Sequence, residues 1–193
     1  MRRTLLASLA TTLLACGGAT TTLTSDAGPG DGGLPDAGPA DAGSFTPRFE
    51  PAPLPSGAVV HLVGRPAEGN APATVEVWGR DLGPLFGAAL HVELDPRLTV
   101  LSATPEPVLG PGAVSLVRLA PHDAALGLTR PSPDKGDVTI AEDTKLWTLL
   151  VTVDGAPSAA AVTPTRLVLR RASGAWTSAA LAGGTFSLSE ASR

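Results

Sequence analysis

The chain has 193 residues, 18 acidic and 14 basic side chains, and a formal net charge of -4 at pH 7. This length accommodates one domain of ordinary size together with tails. The charge is acidic and no cluster of Lys and Arg occurs, which argues against a nucleic-acid-binding protein because such proteins hold phosphates through basic clusters. Hydrophobic residues make up 43% of the chain and aromatic residues only 4%, so the predicted core consists mainly of Val, Leu and Ala.

The first fifteen residues have the pattern of an export signal. Two arginines follow Met1, and residues 4–15 are all apolar or small. This segment is too short for a transmembrane helix, which needs about 20 apolar residues, and it matches the central region of a signal peptide. We therefore predict that residues 1–15 are a signal peptide and that the protein is exported.

The signal ends at Cys16, the only cysteine of the chain. Leu13-Leu14-Ala15-Cys16 resembles a bacterial lipobox, which implies cleavage before the cysteine, a diacylglycerol on its thiol and an acyl chain such as palmitate on its new amino group. Two or more chains anchor a protein stably, whereas one chain anchors it only marginally. The alternatives are an ordinary signal peptide with a chance cysteine and a buried core cysteine. By the same resemblance, Gly17 after the cysteine favours the outer membrane or the cell surface over the inner membrane.

Residues 16–44 form the predicted linker after the lipidated cysteine. Aspartates recur there every five residues among Gly, Ala and Pro, at positions 26, 31, 36 and 41. A segment of this composition cannot bury enough apolar surface to offset its ordering entropy, so we expect a disordered spacer. A spacing of five does not bring carboxylates together as a calcium loop requires.

Residues 45–193 contain short apolar or alternating runs separated by Gly, Pro and Asp. Leu90, Val92 and Leu94 alternate with polar residues, for example, which is the period of a half-buried strand. The predicted strands lie at residues 58–64, 73–79, 87–95, 98–103, 113–119, 124–129, 137–140, 145–153, 165–171 and 184–189. This pattern predicts an all-β domain, an antiparallel β-sandwich of about nine strands.

Three stretches carry a resemblance to a known family. "ATVEVWGRDLGPLFGAALHVELDPRLTVLSATP", "GDVTIAEDTKLWTLLVTVDG" and "TRLVLRRASGAWTSAALAGGTFSLS" resemble segments of cohesin-like domains. The resemblance covers residues 57–190 and implies a jelly-roll sandwich that recognises a dockerin or a polysaccharide non-covalently, as related carbohydrate-binding modules do. The loop "RPSPDKGD" at residues 130–137 matches no pattern of that family, and the chain carries no dockerin.

The sequence contains no pattern typical of an enzyme. The three histidines, His61, His91 and His122, are far apart, and none of the motifs G-x-S-x-G, H-E-x-x-H and C-x-x-C occurs. His122 and Asp123 follow a proline and predict a turn, because a His–Asp pair without a nucleophile is not a catalytic triad. We therefore predict no enzymatic activity, no catalytic residue and no cofactor.

Two groups of side chains were considered as metal ligands. His91, Glu93 and Asp95 share one face of a predicted strand, where a solvated surface is the simpler interpretation. Four carboxylates in two neighbouring loops allow either a surface calcium site or two solvated loops, with solvation as the default. These are Asp134, Asp137, Glu142 and Asp143. We predict no metal site.

Three tryptophans are the candidates for stacking on a sugar. Trp147 lies in a strongly apolar strand and Trp78 ends one, which favours packing in the core or at an edge for both. Trp176 lies between two predicted strands and is the one that we expect to be most exposed; the alternative is a hairpin tryptophan that folds onto its own sandwich. Trp176 and then Trp78 are the candidate ligand-binding residues. One ring makes a poor sugar platform, so a protein partner that binds a sheet face is an equal alternative.

The resulting hypothesis is a membrane-anchored surface lipoprotein whose cohesin-like β-sandwich binds a protein or polysaccharide partner. The alternative is a structural envelope lipoprotein that packs into a larger complex without a small ligand. A binding module should expose a flat apolar or aromatic patch on one sheet, and most monomers lack a large patch of this kind.

Overall fold

The computed structural model describes residues 45–65, 71–153 and 159–190. The predicted signal peptide, Cys16 and the linker lie outside these ranges. Within them no helix is both long and apolar enough to cross a membrane. The helical structure in this part of the chain is one short 3-10 turn at Pro133–Lys135.

Fourteen strands build the described part of the chain. Ten have seven residues or more and four are short. In chain order they are β1 (Phe45–Pro51), β2 (Val59–Arg65), β3 (Ala73–Arg80), β4 (Gly83–Leu85), β5 (Gly87–Leu94), β6 (Leu98–Pro105), β7 (Val114–Ala120), β8 (Asp123–Thr129), β9 (Val138–Ile140), β10 (Thr144–Val153), β11 (Ala160–Arg170), β12 (Trp176–Thr177), β13 (Ala180–Ala182) and β14 (Gly184–Glu190).

The strands form two main sheets. The seven-stranded sheet has the order β1-β14-β11-β5-β8-β7, with β12 paired to β11, and the five-stranded sheet has the order β13-β2-β3-β10-β6. The strands β4 and β9 form a separate pair. All pairings are antiparallel except that of β13 with β2. The predicted fold class, an antiparallel β-sandwich, is confirmed.

The core lies between the two main sheets. Leu90 and Val92 of β5 face it from the seven-stranded sheet, and Val75 and Val77 of β3 face it from the other. Alternate residues of each strand point the opposite way, which leaves every sheet with one core face and one outer face. The largest fully buried side chain is Trp147 of β10. The core is mostly Val, Leu and Ala, as the composition predicted.

The sequence did not predict β1. Pro47 and Pro51 lie in its seven residues, and proline within a run argues against a strand because it cannot donate to a ladder. Proline is tolerated at a sheet edge, and β1 is an edge strand. Phe49 packs β1 onto the sandwich. Its ring occupies the space that a Cβ atom at Gly64 or Gly184 would need, and it packs edge-on against Phe186 with 5.1 Å between the ring centroids.

The strand β11 begins five residues earlier than predicted. The predicted strand begins directly after Pro164, whereas the observed strand runs through Pro164 with a β-bulge between Pro164 and Arg166. Pro164 itself pairs with Val92, and Thr165 is the residue that the bulge leaves out of the ladder. On the other side of β11 the pairing with β14 ends at Val162, so no strand there needs an N–H from Pro164.

The turn between β5 and β6 connects the two main sheets. Asp95 accepts hydrogen bonds from the Arg97 backbone N–H at 3.0 Å and from its Nε and Nη2 at 2.7 Å each. These bonds lower the pKa of Asp95 to about 2. Arg97 also donates to the Ala159 carbonyl at 2.5 Å, so this ion pair connects the turn to the segment before β11.

Candidate functional site

The outer face of the seven-stranded sheet has a floor of very small residues. On β5 the outward positions include Gly87 and Ala89, and on β8 they include Ala125 and Gly127. These strands are direct neighbours in the sheet. Because none of these side chains extends beyond a methyl group, the middle of this face lies lower than its surroundings.

Larger side chains rise on both sides of this floor. Val114 and Leu116 of β7 are 55% and 73% exposed. Across the floor, Val168 lies on β11, and Trp176 on β12 is 67% exposed and directly opposite Arg170 of β11. These apolar groups face solvent in the described structure.

Floor and walls together form a surface depression, which we call the outer groove. It consists of two contiguous hollows of about 350 and 290 Å³ that share Ala89, Leu116, Gly127 and Val168. The walls on β7 and β11 are three strand spacings apart, or about 14 Å at 4.8 Å per spacing. The outer groove is therefore wide, shallow and predominantly apolar.

Charged side chains lie at both ends of the outer groove: the exposed Arg170 lines the hollow beside Trp176, and two further arginines lie at the other end. The register places Arg118 of β7 beside Ala125, and Arg166 of β11 beside His91 of β5. Both arginines are exposed. The His91 Nε2 atom lies 2.5 Å from an Asp123 carboxylate oxygen, so this histidine is already engaged within the sheet. The two arginines are thus the side chains at this end that can meet an acidic ligand.

The outer face of the five-stranded sheet is organised differently. Glu76 of β3 is only 5% exposed and accepts hydrogen bonds from Arg65 Nε at 3.2 Å and Trp78 Nε1 at 3.1 Å. Lys145 Nζ lies 3.5 Å from Glu76 and 3.1 Å from Glu106. Burial raises the pKa of Glu76, but the hydrogen bonds of Arg65 and Trp78 and the charges of Arg65 and Lys145 outweigh it, and the net shift is downward. The hydrogen-bond donors and acceptors of this face therefore bind one another.

The two candidate ligand-binding tryptophans are on different sheets. Trp176 belongs to the outer groove, whereas Trp78 is half-buried on β3 and donates to Glu76. They do not form one surface. Trp147 is fully buried between the sheets.

The carboxylates considered for calcium do not converge. Asp143 contacts His61 Nε2 at 3.1 Å, and Asp137 accepts from the Ala172 N–H at 2.6 Å. Asp134 accepts a bond from Ser132. Among the residues that the structure describes, no group of three or more His, Cys, Asp and Glu side chains is placed to hold a metal.

Comparison with known proteins places the fold. No protein-family model matches the chain, and no curated protein matches it in sequence. Solved structures do resemble it. The sixth cohesin of scaffoldin B from Acetivibrio cellulolyticus, in complex with a dockerin, is 14% identical with a TM-score of 0.52, over 67% of this chain and 95% of that one. The fold is cohesin-like.

Two further cohesin structures agree. A non-cellulosomal cohesin from the archaeon Archaeoglobus fulgidus is 12% identical with a TM-score of 0.51, over 67% of this chain and 87% of that one. A type I cohesin–dockerin complex from Clostridium thermocellum contains a chain that is 12% identical with a TM-score of 0.51, over 77% and 96%. The cohesin-like fold suggested by the sequence is confirmed.

The floor and the β7 wall of the outer groove were not predicted from the sequence. A signal was present in β7, where Val114 and Leu116 are apolar at one parity and Val117 and Leu119 at the other. A strand that is apolar on both faces must be covered on both faces or must expose one. Small residues such as Gly127 and Ala89 carried no comparable signal, because their role appears only when β5 and β8 are neighbours.

Proposed function

We propose that the protein is a lipid-anchored surface module that binds, in its outer groove, a helical segment of a protein partner. Binding is non-covalent and needs no catalysis or cofactor. The observation that carries the proposal is the outer groove itself, an apolar depression with exposed Leu116 and Trp176 walls on a sheet whose floor is Gly and Ala.

The dimensions of the outer groove suit an α-helix. With its side chains a helix is about 10–12 Å wide, and the walls on β7 and β11 are about 14 Å apart. The small side chains of Gly127 and Ala89 let a helix approach the sheet closely. A helix that lies in such a groove presents apolar residues at intervals of three and four along one stripe.

The charges and the aromatic content favour a protein over a polysaccharide. Arg118 and Arg166 at one end suit acidic residues that flank the apolar stripe of a helix. A pyranose needs aromatic faces, and Trp176 is the aromatic residue that lines the groove. The cohesin-like fold is also seen in complexes with dockerins, which supports a protein partner.

Anchoring through Cys16 is the second part of the proposal. The cationic start, the short apolar segment and the lipobox-like residues 13–16 occur in the order that such a signal requires. A flexible linker of the predicted length has an r.m.s. span of about 30 Å, and the proposed location of the anchor is the outer membrane or the cell surface. The intact mass of the protein extracted from membranes should equal a chain that begins at Cys16 plus lipid. A Cys16→Ser variant should lack the lipid mass, and an unlipidated wild-type chain would overturn the anchor.

Site-specific photocrosslinking in the native cells tests the groove. A photoreactive residue at position 116 or 176 should give adducts of one discrete mass, and the same residue at Thr104, exposed on the other sheet, should not. Protease digestion of the adduct identifies a protein partner. Adducts that resist protease and have a continuous range of sizes would indicate a polysaccharide. Equal labelling from Thr104 would show that the outer groove is not the binding site.

A matched variant separates binding from chance contact. A Leu116→Asp substitution places an acidic group in the wall of the groove while leaving the core untouched, so adducts from position 176 should be lost in this background. Adducts of many envelope proteins that persist in Leu116→Asp would favour a structural lipoprotein packed into a larger complex.

A further inference from the structure

The two edges of the seven-stranded sheet are protected very differently. An open edge presents unpaired backbone groups that can bind another strand, and proteins commonly block it with proline, charge or short length. The β1 edge contains Pro47 and Pro51 in seven residues, with Arg48 and Glu50 between them. The β7 edge, "VSLVRLA", contains no proline and one charge, Arg118.

The edges of the five-stranded sheet are either short or partly occupied. The strand β13 has only three residues. On β6, the N–H of Val100 is already bonded to the carbonyl of Pro121, so the turn between β7 and β8 occupies part of that edge. The strand β7 is therefore the long edge without such protection.

The free side of β7 has no backbone partner in the described ranges. All seven residues of β7 pair with β8 on one side, and none of them makes a backbone hydrogen bond beyond that pairing. In an antiparallel ladder the N–H and C=O groups of alternate residues point to opposite sides. About half of the β7 groups therefore point away from β8.

We propose that β7 pairs with β7 of a second copy of this chain, antiparallel and about a two-fold axis at Val117. Such pairing is isologous, as in most two-fold dimers. It joins the two seven-stranded sheets edge to edge. The proposal concerns self-association and does not depend on the proposed partner or on the lipid anchor.

The sequence of β7 is complementary to itself in this register. Val117 faces Val117 of the second copy, Leu116 faces Arg118, and Val114 faces Ala120. Residues opposite each other in an antiparallel pair point to the same face, so Leu116 and Arg118 meet on the outer face while Val117 and Leu119 stay on the core side. All seven strand residues are paired and no like charges are opposed.

Neighbouring registers are less favourable. An axis at Arg118 opposes two arginines, which is destabilising directly across a ladder. An axis at Leu116 opposes Leu116 to itself and pairs only residues 114–118 within the strand. The axis at Val117 is the one that avoids the charge clash and uses the whole strand.

Self-pairing leaves the outer groove accessible. Backbone bonds lie in the plane of the sheet, whereas the side chains of the groove stand perpendicular to it. The groove lies between β7 and β11, so the second copy lies beside the groove and not over it.

Sedimentation equilibrium of the full chain tests the proposal. A Cys16→Ser background removes the only thiol and with it any disulfide-linked dimer. The chain should show a reversible monomer–dimer equilibrium with a Kd of about 1 mM or lower. A Kd near this upper value is what we expect of a weak interface with a small buried area. A chain that is strictly monomeric at a concentration of about 1 mM would overturn the proposal.

Three substitutions of Leu116 test the register. Leu116 is largely exposed in the monomer, so the variants should fold. In the Leu116→Glu variant, Glu at position 116 of each copy faces Arg118 of the other copy, which gives two ion pairs per dimer. This variant should therefore dimerise about two- to thirtyfold more tightly than the neutral Leu116→Gln control. Leu116→Arg opposes Arg118 and should bind more weakly than Leu116→Gln by a similar factor.

The order of the three variants decides between the outcomes. An axis at Leu116 would make both charged variants weaker than Leu116→Gln, and equal affinities would exclude the axis at Val117. The double substitution Leu116→Arg with Arg118→Glu should restore the affinity that Leu116→Arg loses. Hydrogen exchange of the wild-type chain provides a second measurement: amides of residues 114–120 should gain protection as concentration rises, and protection gained only elsewhere would contradict the proposal.

Discussion

The outer faces of the two sheets differ in the side chains that they present to solvent. On the five-stranded sheet, Glu76 is surrounded by Arg65, Trp78 and Lys145, and the polar groups bind one another. On the seven-stranded sheet, Leu116 and Trp176 are exposed above a floor of Gly and Ala. Both faces belong to one sandwich and use the same alternation of side chains.

The difference separates side chains that stabilise the folded state from side chains that stay exposed to water. The charged network on the five-stranded sheet loses hydrogen bonds if any member is removed, so it should contribute to the free energy of unfolding. Exposed apolar residues such as Leu116 contribute little to that free energy, because they stay in water in the folded monomer. The seven-stranded face carries the more exposed apolar side chains, Leu116 at 73% and Trp176 at 67%, whereas Leu101 and Leu150 on the five-stranded face are 50% and 37% exposed.

Loss of the shared core should disrupt both faces at once. Trp147 is fully buried between the sheets, so Trp147→Ala removes its large side chain and leaves a cavity. We expect the free energy of unfolding to fall by about 3–5 kcal/mol, measured by urea denaturation. Trp147→Phe is the matched control and should cost less. A loss below 1 kcal/mol for Trp147→Ala would contradict the packing of the two sheets described above.

Removal of the Glu76 charge should weaken the five-stranded face. Glu76→Gln keeps the shape but loses the ion pairs with Arg65 and Lys145, and we expect a loss of about 1–3 kcal/mol at pH 7. The folded pKa of Glu76 lies below its ordinary value of 4.5, so its contribution is present above that pH and is lost as the pH falls below it.

Urea denaturation of the wild type and Glu76→Gln across this pH range measures both effects. The stability difference should narrow under acid conditions. Glu106→Gln, whose carboxylate is more exposed, is the control and should cost less. A difference that widens as the pH falls would mean that Glu76 is stabilised in its neutral form.

The turn that connects the two sheets should become acid-sensitive at a lower pH. The bonds from Arg97 lower the pKa of Asp95 from 3.8 to about 2, so the folded state favours the carboxylate. Its contribution is present above pH 3.8 and disappears as the pH falls through 2. The Tm of Asp95→Asn should therefore be lower than that of the wild type at pH 6 and converge with it near pH 2. Parallel Tm curves would show that Asp95 plays no part in the acid transition.

The smallest change should follow substitution of the groove walls. Leu116→Ser and Trp176→Ser remove exposed side chains, and each should shift the free energy of unfolding by no more than about 0.5 kcal/mol. Unfolding is measured on dilute samples, so that self-association does not contribute to the free energy of unfolding. A loss of 2 kcal/mol or more would assign these side chains to folding, and the contrast between the two faces would disappear.

Local patterns were sufficient for most of the strands. The alternation of Leu90, Val92 and Leu94 identified β5 and its core face, and similar runs identified β3 and β10. The strands that were missed had weak or conflicting local signals. Prolines masked β1, and the short strand β12 around Trp176 forms only because β11 is beside it.

The candidate site was predicted only in part. Exposure of Trp176 followed from its place between apolar runs, but its neighbours across the groove come from strands far away in the chain. Trp78, at the end of an apolar run, was predicted to pack in the core or at an edge, and β3 places it half-buried beside Glu76 on the other sheet. Sequence distance carries no information on which strands become neighbours, so the sequence could not show that the two tryptophans lie on different sheets.

The sequence alone determined the β-sandwich class, the Val- and Leu-rich core and the faces of the longest strands, because these depend on period-two alternation within single strands. The tertiary structure decided everything that depends on strand order. It brought Gly127 beside Ala89 to form the floor of the outer groove, placed Leu116 opposite Val168 across that floor, and left β7 at an open edge. Pairing between strands is fixed by packing over the whole domain, and single runs of residues do not encode it.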